Sequence, residues 1–226
     1  MKKRVRIDSL ILCSIIVGTG VLYSLSKIYS KSVFSDNIFD FIGFLVMLCG
    51  IYLRMAARGY KKKFSQEGHG LVTDGLYSFV RNPMYLGSFL MGMGFLLILW
   101  PWWALPFFAI AFYFRFNKQI VKEETHLESS FGDDYKKYCK KTPRIFPTIK
   151  SIQHLNLPKT FPLDVVWSTK EKRGLFLWPV LGIILETFQQ QVVFGKMNLG
   201  QTVMIVAFSA AFFAVSLRFL YGDVKR

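Results

Sequence analysis

From Ser9 to Ser26 the chain runs without a charged residue, long enough at about 1.5 Å per residue to cross the roughly 30 Å hydrocarbon core of a bilayer. Phe39 to Ala57 is a second apolar stretch, with Asp40 at one end and Arg54 and Arg58 at the other, where long cationic side chains snorkel to the interface. Asn82 to Phe114 carries no charge at all, and as one helix it would measure roughly 50 Å and overshoot the membrane. It has to fold back. Trp100-Pro101-Trp102-Trp103 supplies the turn, because proline breaks a helix and tryptophan favours the interface. Gly174 to Phe194 and Gly200 to Tyr221 complete the pattern, joined by a short turn around Gly195-Lys196-Met197-Asn198. It predicts an all-α fold, a polytopic membrane helical bundle of about six spans in which spans three and four form a short helical hairpin.

Charge then orients this bundle. The 226 residues are 52% hydrophobic yet carry a formal net charge of +15, a pairing that a membrane reconciles. With the N-terminus in the cytoplasm, Lys2, Lys3, Arg4 and Arg6, the Arg58 to Arg81 loop, the segment from Asn117 to Arg173, and Lys225 with Arg226 all fall on that side. Only Lys27, Lys31 and Lys196 face the other, so the positive-inside rule places both termini in the cytoplasm. The expected location is the bacterial cytoplasmic membrane, or the endoplasmic reticulum membrane in a eukaryote. The basic residues form no aromatic-studded stripe, which speaks against a nucleic-acid partner. The three cysteines stand apart, with no disulfide framework or zinc spacing, and no metal site is expected. The opening Met-Lys-Lys-Arg resembles a signal-peptide start, but no small-x-small cleavage site follows, so it reads as a retained first helix. The whole of 1–226 reads as a single membrane domain.

Candidate chemistry sits in the inner segments. The loop from Arg58 to Arg81 holds Gly68, Gly70 and Gly75, implying tight turns, and ends at Arg81-Asn82-Pro83-Met84-Tyr85. Asparagine suits an N-cap and proline the first helical position, so span three starts here, and a helix N-terminus beside Arg81 is a potential anion site. The plainer reading of Arg81 is a cation marking the end of a span. After span four the helix continues through Asn117 to Leu127, where Ile120, Glu123, Glu124 and Leu127 fall at i, i+3, i+4 and i+7. Two acids on an apolar stripe suit a cationic ligand, with pairing to Arg81 or Arg115 as the structural alternative. Gly132 is expected to break this helix and Asp133 to cap its restart, with Pro143 ending it; Tyr135 and Tyr138 share a face that packs on the core. The hairpin would hold the cationic and acidic poles at one membrane face, which suits a zwitterion. S-adenosylmethionine is one such molecule, and physics alone does not select it over others.

The string Gly70-Leu71-Val72-Thr73-Asp74-Gly75-Leu76-Tyr77, then Arg81-Asn82-Pro83-Met84-Tyr85-Leu86-Gly87, Glu123-Glu124 with Leu127, Phe131-Gly132, Tyr135, Tyr138 and Pro143-Arg144 to Pro147 resembles the isoprenylcysteine carboxyl methyltransferase and phospholipid methyltransferase superfamily. The match covers roughly 41–147, the expected methyltransferase core, and leaves 148–226 as a linker plus two additional transmembrane helices. The resemblance implies a cofactor pocket for S-adenosylmethionine built from helices and helix ends at the cytoplasmic face, without a Rossmann sheet. Gly87, Gly92 and Gly94 lie inside a span and read as close-packing positions instead. By the same resemblance His69, Leu71, Tyr77, Arg81, Pro83, Tyr85, Glu123 and Glu124 match positions lining the cofactor site. Arg81 is assigned to the cofactor carboxylate, one of the two glutamates to its ammonium or ribose hydroxyls, and Tyr85 to the sulfonium or adenine. Relatives usually carry histidine where this chain has Asn82, so a general base at that position is missing; a carboxylate acceptor would not need one.

The implied activity is an S-adenosylmethionine-dependent methyltransferase acting on a lipophilic or lipidated acceptor that arrives laterally from the bilayer, with Arg81, Glu124 and Arg115 as catalytic candidates. Arg115, at the inner end of span four, would orient an anionic acceptor, against the plainer reading that it snorkels. N-methylation of a phospholipid or other lipid amine is the alternative reaction. A scaffold or a transporter is the non-enzymatic alternative, and a transporter is disfavoured because polar residues should then line several spans at mid-depth, whereas spans one, three and six are almost wholly apolar. His126 and His154 read as solvated. Glu186 lies inside span five, but Gln189, Gln190 and Gln191 suggest that the helix nears the outer interface there, and it is left outside the site.

Overall fold

A computed structural model describes residues 33–65, 70–148 and 174–194, with isolated positions between 200 and 211. Five helices make up the described fold: α1 Val33–Phe64, α2 Leu76–Phe79, α3 Pro83–Leu99, α4 Ala104–Lys141 and α5 Gly174–Phe194. No strand occurs among the described residues. Predicted span one, most of predicted span six, and His69 lie outside them. Within them only Asp36–Phe64 is both long and apolar enough to cross a membrane, and Pro83–Leu99 is a shorter apolar helix. The predicted hairpin is present: α3 ends at Leu99, α4 starts at Ala104, and Trp100 to Trp103 form the turn between them.

The core is the seam between α1 and α3. Phe44, Met47, Leu48, Ile51 and Met55 of α1 are buried together with Ile98 and Leu99 of α3. Glycines let the two backbones touch. A Cβ built on Gly50 falls 2.7 Å from the Gly87 carbonyl oxygen, and one on Gly94 falls 2.5 Å from that of Gly43. Both pairs are spaced by seven residues, so the same helix faces meet twice, two turns apart. The close-packing reading of Gly87 and Gly94 holds, and their partners on α1 complete it. Gly92 instead faces the Phe108 ring across the hairpin. Helix α5 lies against the seam, with Gly182 on Phe44 and Met47 and Trp178 edge-on to Phe95 at 5.9 Å.

One local expectation is corrected. Arg54 does not snorkel: its guanidinium turns inward and donates to the Ser88 hydroxyl, a contact opened by the missing side chain at Gly87. Gln189 and Gln190 are buried, as is Glu186. At Gly132 the expected break is present as a kink with φ 52° and ψ −122°, a left-handed conformation that glycine tolerates best.

Candidate active site

The segment before α3 is clamped to the segment after α4. The Arg81 amide donates to the Pro143 carbonyl at 2.8 Å and the Asn82 amide to the Arg144 carbonyl at 3.1 Å. Residues about sixty positions apart are thereby held side by side. Gly75 makes the approach possible: with φ 59° and the Tyr60 ring 2.5 Å from where a Cβ would stand, it turns the loop tightly against the end of α1. Hydroxyl bonds continue the clamp, from Tyr138 to the Tyr77 carbonyl at 2.6 Å and from Tyr77 to the Ala57 carbonyl at 3.4 Å.

Glu124 is the hub of this junction. One carboxylate oxygen accepts from the Asn82 amide at 3.1 Å and lies 3.6 Å from the Arg81 guanidinium; the other accepts from Arg144 Nε at 2.9 Å. Arg144 also donates to the Asn117 side chain at 2.8 Å. Asn82 stands at the N-cap position of α3, but its side chain caps nothing; its amide donates to Glu124 and to the Arg144 carbonyl. Arg144 was absent from the sequence-derived site, although Pro143-Arg144 belongs to the motif that carried the resemblance. Only the fold shows that it reaches back twenty residues to Glu124.

The two adjacent glutamates therefore differ. Glu124 is turned inward and saturated, whereas Glu123 lies at the exposed rim, accepting from the Tyr85 hydroxyl at 2.8 Å and from Gln119 at 3.0 Å. The expectation that both share a core-facing stripe holds for Glu124 alone. Arg81 also donates to Cys139 Sγ at 2.7 Å, and its Nε is buried with no hydrogen-bond partner among the described residues. Burial opposes the charge on Arg81, but Glu124 and Cys139 outweigh it and hold the guanidinium above its ordinary value. Burial also pushes the Tyr77, Tyr135 and Tyr138 hydroxyls above the phenol range, reinforced by Glu123 at Tyr77 and by Glu124 at Tyr135. Pro83 is buried at the first position of α3, and Leu71 is half-buried in the preceding loop. Arg115 lies 5.4 Å from the Phe116 ring centroid, and Phe116 packs on Tyr85 at 5.6 Å, so Arg115 stands one ring away from the polar cluster.

Beyond Tyr85 the hairpin is lined with aromatic rings. Phe89 packs on Phe108, Phe112 and Phe146 at 5.6, 5.1 and 5.3 Å, and Phe112 continues to Phe116 at 4.4 Å. A polar junction at one end of a helical hairpin, opening onto an apolar aromatic row, defines the class: an all-helical protein with an amphiphilic site at a helix end.

Comparison with known proteins makes the class specific. The family described as phospholipid methyltransferase matches residues 37–134. The chain is 36% identical over 116 residues to the protein-S-isoprenylcysteine O-methyltransferase of Schizosaccharomyces pombe, covering 48% of each chain. It is 32% identical over 120 residues to the Xenopus laevis protein of the same name, covering 50% of this chain and 42% of that one. With the Homo sapiens protein it shares 27% over 164 residues, 64% of this chain and 58% of the other. The chain thus spans about half the length of the curated relatives it matches. No solved structure matches it. Through this segment the chain is similar to the phospholipid methyltransferase family and to the protein-S-isoprenylcysteine O-methyltransferases.

Proposed function

We propose that this protein is a membrane methyltransferase that uses S-adenosylmethionine to methylate the carboxylate of a lipophilic acceptor. The single observation that carries the reading is the junction of Arg81, Glu123 and Tyr85 with the aromatic row from Phe89 to Phe116: polar groups for a zwitterionic donor meet an apolar track for a lipid tail. The relatives' names add the acceptor class, an isoprenylated cysteine.

The site fits the donor on an observation of its own. Arg81 Nε is a buried donor lacking an acceptor, and a ligand carboxylate would supply one. When bound, S-adenosylmethionine supplies an electrophilic methyl group on a sulfonium. The protein's part is then positional. Arg81 holds an anion beside the start of α3, where the helix dipole also favours negative charge. Glu123 at the rim faces cationic or hydroxyl groups, and Tyr85 offers its ring face. Glu124 serves by fixing Arg81, Asn82 and Arg144, which makes it a positioning residue. Asn82 takes no proton near neutrality, and its amide is engaged by Glu124, so the site suits an acceptor already ionised at neutral pH. Alignment of two reactants with water excluded supplies several kcal/mol without further catalytic groups. In this reading both termini are cytoplasmic, as the charge asymmetry favours, and the junction faces the cytoplasm with them.

Calorimetry of the purified full chain with S-adenosylmethionine or its demethylated product tests the reading. Binding is expected, weakened at least tenfold by Arg81→Ala and less by Glu123→Gln. Absent binding, or binding untouched by Arg81→Ala, overturns it. Radiolabelled donor incubated with total membrane lipid should give a base-labile product; a base-stable product would indicate a lipid amine instead.

A further inference from the structure

At the other end of the bundle, α1 and α5 bury a polar patch that methyl transfer does not use. Asp36 and Asp40 stand one turn apart on α1, on the stripe continued by Phe44 and Met47, and both are buried. Facing them, α5 presents Glu186, Gln189 and Gln190, one and two turns beyond the Gly182 that packs on Phe44. Glu186 is only 1% exposed, and neither carboxylate oxygen has a hydrogen-bond partner among the described residues. It lies close enough to Asp36 for their charges to interact. The Oδ1 of Asn37 is likewise buried without a partner. The atoms of Glu186 and Asn37 left without a partner among the described residues are acceptors, so what these two lack is a donor. Ionised carboxylates within a membrane-spanning helix are costly unless paired, and they mark ligand sites.

A metal ion is not favoured, because no group of three metal-binding side chains occurs among the described residues. A primary ammonium fits better: it is cationic, donates three hydrogen bonds and tolerates longer, looser contacts than a metal. Exposed apolar side chains flank the patch on both helices, Ile38, Phe41 and Ile42 on α1 and Ile184 and Phe188 on α5, where acyl chains would lie. Asp36 stands twenty-one residues before Ala57, which is roughly 30 Å of helix from the methyl-transfer junction. A ligand here is therefore not the methyl acceptor.

We propose that Glu186, with Asp36 and Asn37, forms a site for the primary ammonium of a membrane lipid head group, separate from the methyl-transfer site. The test compares melting temperatures of the full chain in nanodiscs of phosphatidylcholine alone, whose trimethylated head group donates no hydrogen bond, with discs containing phosphatidylethanolamine. A rise of several degrees with the ethanolamine lipid is expected, and Glu186→Gln should remove most of it. A parallel series adds soluble ethanolamine to the phosphatidylcholine discs. A rise there too keeps the ammonium site but assigns it to soluble amines as well; no rise there assigns it to lipid alone. Equal melting of the wild type in all discs overturns the site, as does a rise that survives Glu186→Gln. Donor binding measured on the same samples should not change with lipid, which separates this outcome from failure of the methyltransferase reading.

Discussion

Arg144 shows how much a single side chain carries here. It braces Glu124 at 2.9 Å, and Glu124 in turn holds Asn82 and Arg81. Arg144→Ala leaves that carboxylate short of a partner and loosens Arg81; donor affinity should fall about tenfold, roughly 1.4 kcal/mol, in calorimetry. Arg144→Lys should recover only part of it, since lysine lacks the planar fork that reaches Glu124 and Asn117 together. Gly75 is the second single-residue pivot. With φ 59° and the Tyr60 ring 2.5 Å from where a Cβ would stand, Gly75→Ala should cost about 2 kcal/mol or more in denaturation, because strain and overlap add. Gly132→Ala tests the first term alone: its φ is 52° but nothing lies within 4 Å, and about 1 kcal/mol is expected.

At the scale of elements, the α1–α3 seam and the tyrosine clamp behave differently under stress. A side chain at Gly87 or Gly94 meets backbone, which cannot move aside without parting the helices, whereas at Gly92 it meets the far end of the Phe108 side chain. Gly94→Val should therefore lower the melting temperature in detergent far more than Gly92→Ala. The clamp predicts a pH response. Tyr77 and Tyr138 ionise above the usual phenol range when folded, so below about pH 10 they are neutral in both states and add no pH dependence. Above it the unfolded chain loses these protons first and stability falls with rising pH. Thermal melts from pH 8 to 11 should show that fall, and Tyr77→Phe should make it shallower.

For the molecule as a whole, the segment beyond residue 148 is not an appendage. Trp178 and Gly182 of α5 pack on Phe95, Phe44 and Met47, covering part of the core seam. A chain ended after Thr148 should melt well below the full chain even if the donor still binds. The hairpin was legible in the sequence because charge-free length and a proline-tryptophan turn are local signals, and α5 matched its predicted limits for the same reason. Glu123 and Glu124 illustrate what was not legible. Adjacent in the chain, they were expected to face the core together, yet one is a saturated hub and the other a rim group. That division depends on Arg144 and Asn82, which arrive from other segments. Arg54, read as snorkelling, likewise turns inward only because Gly87 leaves room. Hydrophobic periodicity and charge thus determined, by themselves, where α5 lies and how the hairpin folds, because solvation acts on each stretch of chain separately. Tertiary structure alone decided which carboxylate braces, which one stands at the rim, and that Glu186 sits buried with its acceptors unmet among the described residues, because hydrogen-bond partners are chosen by contacts between residues far apart in the chain.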